Sequence, residues 1–317
     1  MSLLKSAVNA AACLILIGLS LFGAAALSGI DHRWVDILAQ FTAPILLAAG
    51  LLTLGCAVMR LWPATAVGGA AVLILFVAVW PQWAPPLGRP ATGQPIVRLY
   101  SANLWVGNTD VDAIRGSIVA ANADIVVLVE VGDAPSGRLD EILAGYPNRA
   151  VMGRQQDPSG RALSIVASRY PISGRLPSRP DGLSAIGAVV DTPLGPVTVF
   201  GVHLTRPWPY EYQWGQITQV MALTARRQAA APGPTVIAGD FNSVSSARIG
   251  RQIQRDLNLV PAPGFPGTWP SRLPGVLGIT IDQVYRSGDL ALISRRIGRP
   301  TGSDHYPVIV EFTRAEP

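Results

Sequence analysis

The chain has 317 residues, which is enough for one large domain or two modest ones. Its formal net charge of +5 is too weak to indicate a nucleic-acid-binding protein. Both cysteines, Cys13 and Cys56, lie in apolar runs near the N-terminus, so the remaining sequence can form neither a disulfide framework nor a thiolate metal site.

Three long runs near the N-terminus contain no charged residue: 6–30, 37–59 and 61–87. Each reaches the roughly 20 residues that a helix needs to cross about 30 Å of hydrocarbon. Tryptophans lie at the ends of these runs, as in an interfacial aromatic belt. The runs therefore predict three transmembrane helices, at about 8–28, 37–59 and 64–82.

The first run has a second interpretation. Lys5, the apolar stretch and the small residues Gly23–Ala26 also resemble a secretory signal with its cleavage site. With three helices and a cytoplasmic N-terminus, or with the first helix removed, the C-terminal part lies outside. We therefore expect a multi-pass protein of the cell (inner) membrane with an extracytoplasmic C-terminal domain. In this orientation Lys5 and Arg60 are cytoplasmic and Arg33 is external, beside Asp31 and Asp36, so the positive-inside signal by itself does not set the orientation.

Residues 85–95 are rich in proline and glycine and lack periodicity, which predicts a linker between an anchor at 1–84 and a domain at 96–317. The predicted strands are 96–100, 124–131, 162–168, 185–191, 197–203, 236–238, 279–285 and 307–312, and the predicted helices are 111–121, 140–143, 213–230 and 247–256. A hairpin turn at Thr192–Pro196 argues against a purely parallel sheet. The domain is predicted to be α/β, with two packed sheets.

Polar residues that an apolar core would not choose end or interrupt several of these strands. They are Asn103, Glu130, His203, Asp240, Asn242, Asp282, Asp304 and His305. Taken alone, Gly239–Asn242 fits an ordinary turn, and a single histidine fits a structural role. A buried lone carboxylate is costly unless it is paired or bound to a metal, so together these residues predict one shared catalytic site at the strand ends.

From about Ile96 to Thr313 the chain resembles the endonuclease/exonuclease/phosphatase superfamily, the deoxyribonuclease I-like metal-dependent phosphoesterases. The matching segments, in order, are 101–104, 129–130, 168–171, 201–204, 239–243, 267–270, 281–284 and 303–307. One departure is Val129, where the family usually has glutamine before its metal-ligand glutamate. The resemblance implies a four-layer α/β sandwich, with two central sheets and helices outside.

The resemblance also implies a Mg²⁺ site, in which Mn²⁺ can substitute. Glu130 would hold the ion, with Asn103 and Asp304 nearby. Magnesium is a hard ion that prefers a few carboxylates together with water and substrate phosphate, and the lack of cysteine agrees with this.

Catalytic roles follow from the same resemblance. His305, oriented by Asp282, would activate the attacking water, and Asp240 and Asn242 would position the water and the phosphate oxygens. His203 would stabilise the developing charge or protonate the leaving group.

The fold does not fix the substrate, because the superfamily cuts nucleic acids, sphingomyelin, inositol phosphates and other esters. A membrane anchor favours a lipid-linked phosphate, and the aromatic segment Arg206–Trp214 is a candidate bilayer or lipid contact, with ordinary packing as the alternative. The arrangement also resembles membrane-bound family members linked to glycopeptide-antibiotic resistance, which act on prenyl-pyrophosphate carriers. A membrane-tethered nuclease acting on DNA and a non-enzymatic membrane protein are the alternatives, and no protein partner can be inferred.

Overall fold

The computed structural model describes residues 3–30, 32–153, 160, 162–176, 181–207 and 213–316. The N-terminal helices are α1 (Leu3–Leu27), α2 (Arg33–Gln40), α3 (Thr42–Val58) and α4 (Trp62–Trp83). Within the described ranges, α1 and α4 are the two single helices long and apolar enough to cross a membrane.

The prediction of three transmembrane helices is therefore wrong at its second member. The segment 37–59 is divided between α2 and α3, which are bent by 61°, and only if this pair counts as one span does a third crossing result. The bend turns α2 onto the C-terminal domain. There the carboxylate of Asp36 accepts a hydrogen bond from the backbone N–H of Arg248 at 2.8 Å. The buried carboxylate of Asp36 therefore has a hydrogen-bond partner in the C-terminal domain.

Helices α1 and α4 run parallel to each other. Near their first turns, the backbone N–H of Ala64 donates to Oδ1 of Asn9 at 3.2 Å. Further along, the backbone of Gly23 lies so close to Ile74 and Leu75 that a β-carbon on Gly23 would come within 2.9 Å of Ile74. Helix α3 returns the chain between them, since it packs against both.

The C-terminal domain alternates strands and helices. Its strands are β1 (Val97–Asn103), β2 (Ile125–Val131), β3 (Asn148–Met152), β4 (Leu163–Ser168), β5 (Ile172–Leu176), β6 (Ser184–Thr192), β7 (Gly195–His203), β8 (Thr235–Asp240), β9 (Val260–Pro261), β10 (Asp282–Arg286), β11 (Leu290–Ile297) and β12 (Val308–Arg314). Its helices are α5 (Val111–Ala121), α6 (Asp133–Ser136), α7 (Leu139–Ile142), α8 (Gln213–Ala229) and α9 (Arg248–Leu257).

These strands form two mixed six-stranded sheets, with the orders β11–β12–β1–β2–β4–β3 and β5–β6–β7–β8–β10–β9. The pairs β1/β2 and β7/β8 are parallel. The remaining pairs are antiparallel.

The alternation of side chains along each strand separates three cores. Leu99 and Val127 point into the core between the two sheets. Their neighbours Tyr100 and Val126 point the other way and pack under α5. A third core, which includes Phe200, lies beneath α8 and α9. The layers are thus helix, sheet, sheet and helix, which confirms the expected α/β sandwich.

The segment that follows α4 runs along the first sheet. The backbone N–H of Ala91 donates to the carbonyl of Arg314 at 2.9 Å, and that of Leu292 donates to the carbonyl of Leu87 at 2.7 Å. Residues 87–91 are therefore fixed to the domain. The division of the chain at a linker over 85–95 stays a prediction.

Candidate active site

Strand register alone places three of the predicted site residues side by side. In the second sheet β8 lies between β7 and β10. Its last residue, Asp240, is paired with His203 on one side and with Asp282 on the other. The end of a buried central strand therefore carries a carboxylate with an imidazole and a second carboxylate as its neighbours.

Asn103 connects the ends of the two sheets. From the end of β1, its side-chain Nδ2 donates to Oε1 of Glu130 and to Oδ2 of Asp240, both at 2.9 Å. Its Oδ1 accepts a hydrogen bond from the backbone N–H of Trp105 at 2.8 Å, which fixes the orientation of the amide. In this orientation the amide nitrogen, and not the oxygen, faces the carboxylates.

Glu130 reaches the site because β2 is irregular at this position. The pairing of β2 with β4 shifts register between Leu128 and Val131. Glu130 itself has φ 52°, a left-handed conformation that costs a non-glycine residue about 1 kcal/mol or more. The bulge takes Glu130 out of the alternation of the strand and turns its side chain towards Asn103.

His203 faces the same two carboxylates. Its Nε2 lies 3.1 Å from Oε1 of Glu130 and 3.8 Å from Oδ2 of Asp240. Burial raises the pKa of Glu130, but the hydrogen bond and charge of His203, together with the hydrogen bond from Asn103, outweigh it and hold this pKa well below its ordinary value. Glu130 is therefore ionised at neutral pH.

His305 and Asp282 form a buried pair. Nδ1 of His305 lies 2.9 Å from Oδ2 of Asp282, and the side chains are only 5% and 2% exposed. Nε2 of His305 points towards Oδ2 of Asp240 at 3.9 Å. Burial lowers the pKa of His305, but the charges of Asp282 and Asp240 outweigh it and raise this pKa to about 10.

The loop after β8 shapes the position of Asn242. The backbone N–H of Asn242 donates to Oδ1 of Asp240 at 2.8 Å, and its side-chain Nδ2 donates to the carbonyl of Leu204 at 2.9 Å. Asn242 has φ 47°, so the chain turns sharply here.

Burial raises the pKa of Asp240 to about 6, although the charge of His305 opposes this shift.

Asp304 lies at the rim of the site. Its side chain is 48% exposed, and its Oδ1 is 3.8 Å from Nε2 of His305. The indole N–H of Trp269 donates to Oδ2 of Asp304 at 3.2 Å. All eight predicted residues are thus connected through hydrogen bonds or short contacts, with Asp304 as the most peripheral member.

The donor groups fit a hard divalent cation. Two sets of ligand atoms each lie within 4.8 Å of one another: Glu130, His203 and Asp240, and Asp240, Asp282 and His305. Oδ1 of Asp282 is buried and has no hydrogen-bond partner in the described part of the chain. A divalent cation would offset the cost of burying several carboxylates close together, and oxygen-rich sites suit Mg²⁺. Asp304 belongs to neither set, whereas Glu130 and Asp240 supply the carboxylates of the first set and Asp240 and Asp282 those of the second.

Sequence reasoning missed three buried glutamines that hold the loop after β8. Gln216 donates to the carbonyl of Phe241 at 3.1 Å, and Gln283 donates to the carbonyl of Ser243 at 3.4 Å. Gln40 of α2 reaches the same loop, where its Nε2 donates to Oγ of Ser243 at 3.2 Å. The signal available for Gln40 was a glutamine inside the uncharged run 37–59.

A cavity of about 200 Å³ lies between α2 and the site. Its lining includes Ile37, Gln40 and Phe41 from the N-terminal helices. The other lining residues come from the domain: Arg206, Pro207, Asn242, Trp269, Ile279, Ile281, Asp304 and His305. The helical part of the chain therefore forms one wall of a cavity that ends at the predicted catalytic residues.

Comparisons with known proteins agree with this architecture. Residues 100–305 match the Endonuclease/Exonuclease/phosphatase family. Over 83 residues the chain is 37% identical to the UPF0294 protein of Vibrio parahaemolyticus, a match that covers 26% of this chain and only 28% of that protein.

Solved structures extend the likeness to the fold. An endonuclease/exonuclease/phosphatase family protein from Bacteroides thetaiotaomicron has a TM-score of 0.57 and 17% identity, with 70% of this chain and 99% of that chain covered. A mannosyl-6-phosphatase from the same organism has a TM-score of 0.55 and 17% identity, with 68% and 99% covered. The chain belongs to the endonuclease/exonuclease/phosphatase family, whose members hydrolyse phosphoester bonds.

Proposed function

We propose that the protein is a membrane-anchored, divalent-metal-dependent phosphoesterase that hydrolyses a phosphodiester or pyrophosphate bond of a lipid-linked substrate. The observation that carries this proposal is the shared cavity, in which Ile37 and Phe41 of the helical part face Asn242 and His305 of the site. Apolar side chains beside the catalytic groups suit a ligand that carries apolar groups next to its phosphate, and a hydrocarbon chain linked to the phosphate would supply them.

The site offers a place for the cation and for the phosphate. Glu130 and Asp240 would hold Mg²⁺, with Asn103 and Asp304 nearby, and the bound ion would neutralise charge on the phosphoryl group and its leaving oxygen. Asn242 would position the phosphate oxygens from the loop after β8.

The two histidines would move the protons. Asp282 accepts at Nδ1 of His305, so Nε2 is the atom that faces the cavity and the attacking water. Acting as a base requires His305 to be neutral, and a divalent cation beside Asp240 would lower its pKa by repulsion of like charges. His203, beside Glu130, would then donate a proton to the leaving oxygen or stabilise its charge.

The direction of the helices supports an extracytoplasmic domain. Because α1 and α4 are parallel, Lys5 lies within about one turn of the contact between Asn9 and Ala64, at the end of the bundle where Arg60 precedes α4. Positive charges favour the cytoplasmic side of a membrane. The catalytic domain follows the opposite end of α4 and would therefore lie outside.

Exposed apolar side chains next to the helices support contact with lipid. The ring of Phe265 packs edge-on against Trp83 at the end of α4, with 5.4 Å between centroids. In the same loop, Leu273, Val276 and Leu277 are 39%, 53% and 41% exposed, which is unusual for neighbouring apolar residues of a soluble surface.

The aromatic segment proposed as a lipid contact is described only in part. Trp208 lies outside the described residues, as do Tyr210 and Tyr212. Trp214, in the first turn of α8, is 68% exposed. A bilayer contact through this segment stays a proposal.

The full chain in detergent or nanodiscs tests the proposed function. We expect Mg²⁺-dependent hydrolysis of a prenyl pyrophosphate or a phospholipid, abolished by chelation and by Asp240→Ala or His305→Ala. Plasmid DNA, assayed side by side, tests the alternative of a tethered nuclease. Faster cleavage of DNA than of every lipid phosphate would overturn the lipid assignment, and full turnover in both variants would overturn the site.

A further inference from the structure

We propose that α2 is a substrate-binding element, which holds the part of a hydrocarbon chain next to the scissile phosphate in the cavity between α2 and the segment 279–281. This inference rests on the proposed function and deepens it, because it names the binding site for the apolar half of the substrate. The element lies outside residues 100–305, the part of the chain that matches the family.

Helix α2 is fixed relative to the loop after β8. Gln40 bonds to Oγ of Ser243 at 3.2 Å and to the backbone N–H of Val244 at 2.7 Å. Asp36 bonds to the backbone N–H of Arg248 at 2.8 Å. Ala39, between them, is 1% exposed in a small apolar core. A helix held by hydrogen bonds on two of its turns can form a defined wall of a binding site.

The fixed helix presents apolar groups to the cavity. Ile37 and Phe41 line it from α2 and its C-terminal end, and both are only partly buried by the protein itself. Ile279 and Ile281, at 8% and 7% exposure, line the opposite side. Trp269 completes the apolar lining and is oriented by its hydrogen bond to Asp304.

The lining and volume of the cavity limit the chemistry and size of its occupant. His305, Asn242 and Asp304 line the same cavity, so a ligand that fills it carries a phosphate at one end and apolar groups next to it. The volume of about 200 Å³ is below the roughly 300–1,000 Å³ of complete ligand sites. The cavity therefore accommodates the first part of a chain, and the remainder would extend along the N-terminal helices towards the bilayer.

Catalytic selectivity tests this assignment. The variants Ile37→Ala and Phe41→Ala are compared with the wild type on a long-chain prenyl or alkyl phosphodiester in mixed micelles and on bis(p-nitrophenyl) phosphate. We expect the ratio of kcat/KM for the long-chain substrate to kcat/KM for the soluble diester to fall about tenfold in either variant. Leu38→Ala is the matched control, because Leu38 lies on the same helix and does not line the cavity; its ratio should equal that of the wild type.

A series of substrates tests the inference without any substitution. With the wild type, kcat/KM should rise as the alkyl chain of a phosphodiester is lengthened and should level off once the cavity is full. An unchanged ratio in both variants, or a flat chain-length series, would overturn the inference. Failure of the wild type to cleave any phosphodiester or prenyl pyrophosphate with Mg²⁺ would instead overturn the proposed function, so the two failures are distinguishable.

Discussion

The side chain of Gln40 in α2 accepts a hydrogen bond of 2.7 Å from the backbone N–H of Val244, two residues after Asn242 in the predicted site. Both partners are buried. This contact joins the N-terminal helices to the loop after β8, across 204 residues of sequence. The position of the loop therefore depends on the helical part of the chain as well as on the sandwich.

Gln40→Ala is expected to weaken both stability and turnover. The substitution leaves the buried N–H of Val244 without an acceptor, which costs about 1–3 kcal/mol. Tm in detergent should fall, and kcat for a soluble diester should fall more than KM rises. Ser243→Ala is the comparison, since it removes the partner of Nε2 and keeps the acceptor for Val244; it should have the smaller effect. Equal effects of the two variants would contradict this account.

Magnesium is expected to stabilise the folded protein through Glu130 and Asp240. A ligand that binds only the folded state stabilises it by roughly 2.7 kcal/mol at one hundred times its Kd. Saturating Mg²⁺ should therefore raise Tm by about 5 °C in the wild type. The rise should be lost in Glu130→Gln and Asp240→Asn. Asp112→Asn removes an exposed carboxylate on α5 and should keep the full rise, and a rise in all four proteins would place the ion elsewhere.

The titration of His305 offers a test that needs no substrate. Its pKa is raised to about 10, chiefly by Asp282 and Asp240 acting against burial. Because the folded pKa exceeds the ordinary value of 6.5, the charged imidazole stabilises the fold fully below about pH 6.5 and loses this effect as the pH rises through about 10. In the metal-free protein, NMR should show His305 protonated at pH 8.

Asp282→Asn is the matching variant for this titration. This variant keeps the shape of the Asp282 side chain and removes its charge, so the pKa of His305 should fall towards 6.5. The contribution of the charged imidazole to the free energy of unfolding at low pH should become smaller. A pKa of His305 that does not change in the variant would show that Asp282 does not control it.

Local signals were sufficient for much of the sandwich. The helix predicted over 111–121 has these bounds because Asp110 caps its first turn by accepting from the N–H of Ala113, and Asn122 ends it in a left-handed conformation. Central strands such as β2 and β8 were predicted correctly because a strand that is buried on both faces has a continuous apolar run in its sequence. Edge strands were missed: β5 carries an alternating, half-exposed pattern with Arg175, which an apolar-run criterion does not detect.

The rest of the site depends on contacts that local pattern cannot show. The left-handed turn at Glu130 follows from a bulge against β4, not from the residue type. The break between α2 and α3 follows from polar partners of Asp36 and Gln40 more than 200 residues away. The apolar sequence of 37–59 therefore predicted one continuous membrane span. In the structure, long-range hydrogen bonds turn α2 onto the C-terminal domain.

The arrangement of the helices predicts which residues face each side of the membrane. If α1 and α4 cross in the same direction, Met59, before α4, is cytoplasmic and Asp112, in the domain, is outside. Cysteines introduced singly as Asp112→Cys and Met59→Cys test this in a background where Cys13 and Cys56 are replaced by alanine. A membrane-impermeant maleimide should label the first variant in intact cells, or in spheroplasts where an outer membrane is present, and the second only after permeabilisation of the cell membrane.

Met59 is 53% exposed, so the thiol of the Met59→Cys variant is accessible to the reagent once the membrane is opened. Labelling of Met59→Cys alone before permeabilisation would place the catalytic domain in the cytoplasm and contradict the proposed orientation.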